Sequence, residues 1–89
     1  MALAKISNGN DIAALRKALG FNQAEMAHRM GLGSRAYFTL EQEPTTVNIR
    51  HIMLAENVAL AMAIERGDRS FVPKNVAALA DRFAKLPKK

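Results

Sequence analysis

The stretch that most constrains this chain is Asn22–Glu41, NQAEMAHRMGLGSRAYFTLE. Asn22 can accept a free N–H of a first helical turn, and Glu25 can reach back to the Asn22 N–H, closing a capping box. Ala24, Met26, Ala27 and Met30 give the helix that follows an apolar side. Gly31 is placed to end it, because glycine enters the left-handed region without a Cβ clash. Leu32 is a small apolar anchor in the turn. A second helix starts at Gly33 or Ser34, with Tyr37 and Leu40 on one face and Ser34, Arg35, Phe38, Thr39 and Gln42 on the other.

The flanks supply three more helices. Asp11–Leu19 reads as a helix with Ile12, Leu15 and Leu19 inward, stopped by Gly20, and Phe21 can staple onto Met26 or its neighbours. Pro44 disfavours helical geometry at Glu43. Thr45 or Thr46 is then placed to cap a long helix over 47–66, which carries Ile49, Ile52, Met53, Glu56, Leu60, Ala63 and Ile64 at helical spacing. That helix is either continuous or kinked near Glu56–Asn57. Gly67–Asp68 ends it, Ser70–Val72 reads as extended, and Pro73 opens a last helix over 73–85. Val76, Leu79, Ala80, Phe83 and Leu86 form one stripe on it. The expected fold class is all-α with five helices, in one domain spanning 1–89 whose core lies within 10–66. The helix over 73–86 serves either to hold a dimer or to close the monomer core.

Composition narrows the function. The chain has 89 residues and no cysteine, which removes disulfide frameworks and thiolate zinc sites and suits a reducing cytoplasm. No run reaches the ~20 apolar residues of a membrane span, and Met1–Ile6 is too short for a signal peptide. His28 and His51 have no third ligand at metal spacing. The eight carboxylates form no obvious acid–base pair. No metal, cofactor or enzymatic activity is expected. The net charge is +5, but Lys85, Lys88 and Lys89 at the tail supply much of it, so any case for nucleic acid rests on motif.

Two short helices joined by a glycine-containing turn make a helix-turn-helix pattern. The run resembles the helix-turn-helix of lambdoid-phage repressors and Cro proteins. The residues that carry the resemblance are Arg16, Asn22-Gln23-Ala24-Glu25, Ala27, Gly31 and Leu40-Glu41. It covers about residues 10–60. It implies a sequence-specific double-stranded DNA-binding protein, a transcriptional regulator that inserts its third helix into the major groove as a homodimer. It also implies an ion pair between Arg16 and Glu41, and a phosphate contact from Gln23 beside a helix N-terminus. Base-edge contacts fall to Gly33 (backbone only), Ser34, Arg35 and Thr39. Arg35 suits the two acceptors of guanine, and Thr39 a thymine methyl. Phe38 either meets thymine methyls and sugars or turns to pack near Pro44. Gln42 completes the outward face.

Two features depart from the pattern of the family it resembles. Glu43 stands where glycine is usual, and Glu43-Pro44-Thr45-Thr46 replaces a basic loop. Phosphate contacts there would come from Thr45, Thr46, Asn48 or Arg50. The departures leave open a protein-interaction role, as an antitoxin or an adaptor binding a toxin or regulator.

Overall fold

A computed structural model describes residues 3–88. The described residues are all-helical, with no strand. The five α-helices are α1 (Gly9–Leu19), α2 (Gln23–Met30), α3 (Ser34–Gln42), α4 (Ile49–Arg66) and α5 (Lys74–Ala84). Single 3-10 turns at Pro44–Thr46 and Arg69–Phe71 precede α4 and α5. No helix among the described residues is long and apolar enough to cross a membrane.

Three helices end as their glycines require. Gly20, Gly31 and Gly67 take φ of 76°, 73° and 65°, and each donates back to carbonyls of the last turn. The Asn22–Glu25 capping box forms in both directions, at 2.8 Å each way. Inward-facing Ile12, Leu15, Leu19, Met26, Ala27, Met30, Tyr37 and Leu40 close one core with Ala55, Val58, Ala59 and Met62 of α4.

Several boundaries differ from the sequence reading. α1 starts at Gly9 rather than Asp11, because Asn8 caps it by accepting the Asp11 N–H at 3.1 Å. α4 is capped by Asn48, not by Thr45 or Thr46. Asn48 accepts the His51 N–H, and its own N–H donates to His51 Nδ1 at 3.2 Å. The threonines are drawn instead into the 3-10 turn that Pro44 opens, where Thr46 Oγ1 donates to the Glu43 carbonyl at 2.7 Å. α4 is then unbroken through Glu56–Asn57. Ser70–Val72 is not extended over its length: Asp68 accepts the Ser70 N–H at 2.9 Å and winds Arg69–Phe71 into a turn. Ala24, read as part of an apolar side, is exposed.

The core also reaches past 10–66. Ile6, Val72 and Pro73 are buried, and the carbonyls of Leu3 and Ala4 accept the N–H groups of Lys74 and Asn75 at 2.7 and 3.1 Å. The N-terminal segment thus satisfies donors that open the first turn of α5, which has no side-chain cap. Arg66 adds a second fastening for the end of α4, its guanidinium lying 5.5 Å from the ring centres of both Phe21 and Phe71.

Candidate nucleic-acid interface

Glu41, in the last turn of α3, is the anchor of the site. It accepts from Arg16 Nε at 2.7 Å and Arg16 Nη2 at 3.1 Å on α1. Gln23 Nε2 on α2 donates to it at 3.0 Å, and the Tyr37 hydroxyl, one turn back on α3, donates to it as well. Arg16 Nη1 reaches on to the Phe21 carbonyl at 3.0 Å, in the α1–α2 connection. The side chains of Arg16 and Glu41 are only 14% and 9% exposed. One carboxylate therefore ties three helices together, and no buried side-chain polar atom among the described residues lacks a partner.

Charge follows geometry. Burial pushes the Glu41 carboxyl up, but the hydrogen bonds from Arg16, Tyr37 and Gln23 outweigh it and hold the group below the usual carboxylate range. Burial first, then the Glu41 carboxylate, pushes the Tyr37 phenol above its ordinary value. Both effects favour ionised Glu41 beside neutral Tyr37 at neutral pH.

With its inner side fixed this way, α3 presents Ser34, Arg35, Phe38 and Gln42 as exposed residues, with Thr39 partly so. Ser34, Arg35, Phe38 and Thr39 join Gln23 and Ala24 around an open concavity of about 680 Å³. Among the described residues the Arg35 guanidinium has no carboxylate within ion-pair distance. Thr39 Oγ1 donates back to the Arg35 carbonyl at 3.1 Å. Phe38 is 46% exposed and lines the concavity rather than joining the core. Across from α3, the capping box occupies the Asn22 and Glu25 N–H groups. The Gln23 and Ala24 N–H groups are left at the open end of α2, where an anion is favoured.

The other expected site residues lie outside this concavity. Gln42 and Arg50 are exposed, Gln42 at the far end of α3 and Arg50 in the first turn of α4. Gly33 is the residue before α3, with φ −66° and open space where a Cβ would stand. Neither strain nor crowding demands glycine there. Gly33→Ser should therefore stabilise the protein by a few tenths of a kcal/mol, because it supplies the side-chain cap that α3 lacks. If bare backbone is needed for close approach to a ligand, the same change weakens binding while the melting temperature rises. Equal or tighter binding would remove Gly33 from the interface.

Two members of the site were not legible as such. Tyr37 reads from sequence only as a core residue, although its i, i+4 spacing to Glu41 was a usable signal. Gln23 reads as a phosphate ligand, yet one of its amide N–H groups is committed to Glu41. Its other N–H and its carbonyl oxygen stay available. No family model, curated protein or solved structure matches the chain.

Proposed function

We propose that this chain is a sequence-specific double-stranded DNA-binding protein, a transcriptional regulator of phage-repressor type. Its α2–turn–α3 unit would act as a helix-turn-helix and enter the major groove with α3, as a homodimer on a two-fold site. The observation that supports this most is the division of α3. Its inner side is locked by Glu41 and Tyr37, and its outer side carries Ser34, Arg35 and Thr39, with the Arg35 guanidinium, which has no ion-pair partner among the described residues, beside an open helix N-terminus. Ser34 and Arg35 read base edges, Thr39 sets its methyl against thymine, and the α2 N-terminus with Gln23 holds a phosphate. Arg50 and Gln42 extend the backbone contacts.

Selection of duplexes from a random pool supplies the preferred site for the test. On that site Arg35→Ala should lose about 1–3 kcal/mol, and little on a scrambled duplex. Gln23→Ala should weaken both duplexes alike with a nearly unchanged salt slope, since an uncharged donor releases no counterion. Equal losses for Arg35→Ala on both duplexes would make Arg35 a phosphate contact.

A protein-interaction role, as an antitoxin or a regulator-binding adaptor, is the second reading. It is favoured by half-exposed Phe38 on the outward face of α3 and by Glu43 where a basic loop would grip phosphate. A flat salt dependence of duplex binding, with no selected sequence, would replace the DNA reading with this one.

A further inference from the structure

α5 is the least anchored helix of the five. None of its residues is fully buried. Of the apolar stripe read from the sequence, only Val76 and Ala80 are partly buried, while Leu79, Phe83 and Leu86 are 61%, 76% and 62% exposed. Pro73 precedes the helix without a side-chain cap. Lys85 ends it in right-handed geometry, with no left-handed glycine like those that close α1, α2 and α4. Isolated helices shorter than about 12–15 residues are marginal in water, and α5 has 11. Its place is therefore set from outside the helix.

The N-terminal segment is what holds it. The Leu3 and Ala4 carbonyls accept the Lys74 and Asn75 N–H groups at 2.7 and 3.1 Å, and these are first-turn donors that a helix cannot satisfy internally. Residues 3–6 make no other hydrogen bond to backbone among the described residues. Leu3 packs against the core and Ile6 enters it, while Ala4 and Lys5 between them are exposed. The other ties of α5 are the Arg69–Asp81 pair at 3.1 Å and Asn75 Nδ2 donating to Glu56 Oε2 at 3.4 Å. Both are exposed, where such contacts contribute little. Residues 3–6 and α5 thus depend on each other. The segment runs on into the Asn8 cap of α1 and Gly9, which lies against the Leu40 carbonyl near the end of α3. It is rooted at the footing of the helix that carries Ser34 and Arg35.

We propose that residues 3–6 and α5 form a latch, one cooperative unit that opens from the α1–α4 body while that body stays folded. Whatever draws α5 away must then release the N-terminal segment, and whatever takes hold of that segment frees α5. The latch is independent of the DNA-binding reading, and its test needs no DNA. In native-state hydrogen exchange of the full chain, the α5 amides from Ala77 onward should open at least about 10-fold more often than those of Met26 and Tyr37. Lys74→Pro removes one bond to the segment, and proline suits the first helical position, so α5 can still form. It should speed α5 exchange roughly 5-fold and leave Met26 and Tyr37 unchanged. Ala78→Gly, an exposed change in α5 alone, should do the same. Trypsin reads the other half of the latch, since cutting after Lys5 requires buried Ile6 to leave the core. Both variants should raise that cleavage rate by the same factor as α5 exchange. α5 amides as protected as that of Tyr37, a Lys74→Pro variant that exchanges like the parent chain, or α5 exchange that rises without faster cleavage after Lys5 would each overturn the proposal.

Discussion

Gly9→Ala should destabilise the protein by about 3 kcal/mol, the upper end of the usual cost of overpacking. A Cβ on Gly9 would lie 1.8 Å from the Leu40 carbonyl oxygen, and 2.9 Å from both the Leu40 carbonyl carbon and the Pro44 Cα. All three atoms are backbone, so no side chain can swing aside. The first turn of α1 meets the last turn of α3 and the Pro44 turn with nothing between them. Relief requires α1 to move away, which would disturb the packing of Ile12 and the Arg16–Glu41 pair. Alanine is the better helix former by up to about 1 kcal/mol, so local propensity pulls the other way and the measured sign separates the two effects. A loss of this size should lower the melting temperature by roughly 10–20 °C in a domain of this length. A melting temperature equal to or above that of the parent chain would mean that α1 and α3 do not approach this closely.

That contact also marks the boundary of what the sequence discloses. Helix ends are local events, settled by a few neighbouring residues. Gly20, Gly31 and the Asn22–Glu25 box accordingly stand where they were expected, as does the inward periodicity of Ile12, Leu15, Met26 and Tyr37. Gly9 is different. It lies in a run of turn-forming residues, Ser7–Asp11, and nothing in that run states that Leu40 must come against it. The α4 cap fails to show for another reason. Thr45, Thr46 and Asn48 are all competent caps, and the choice falls to Pro44, whose fixed φ opens a 3-10 turn that takes up the threonines. On α4 and α5, periodicity reports that apolar residues recur but not how many faces they form. Ile49, Met53 and Ile64 share a stripe in the sequence with Ile52 and Ala63, yet the first three are exposed. In the candidate site, Ser34, Arg35 and Thr39 were legible because the side of α3 away from Tyr37 and Leu40 can only be the outer one. The tie from Gln23 to Glu41 spans two helices and depends on how they cross.

Glu41→Ala should cost about 3–5 kcal/mol, because it strips the acceptor from the Arg16 guanidinium and the Tyr37 hydroxyl together and leaves a poorly solvated charge behind. Arg16→Ala should cost less, since Glu41 would keep its hydrogen bonds from Tyr37 and Gln23. The double variant should lose less than the sum of the two, a coupling expected of groups in one network. Tyr37→Phe keeps the ring and removes one donor to a carboxylate that retains others, so its cost should stay near 1 kcal/mol. The pH dependence has a definite sign. Glu41 is held below its unfolded value, so its contribution is present above the ordinary carboxylate range and is lost as pH falls through the folded value. Tyr37 is raised, so its contribution is complete below its ordinary value near 10 and is lost as pH climbs beyond that. The network is therefore intact from about pH 5 to 9. Urea denaturation of the parent chain and of Glu41→Ala at several pH values checks this directly. Their stability difference should be constant across neutral pH and should shrink below about pH 4, as protonation does to the parent chain what the substitution has already done. A constant difference down to pH 2, or additive losses for Arg16→Ala and Glu41→Ala, would show that Glu41 does not bind the three helices. The orientation of Arg35 would then need another cause.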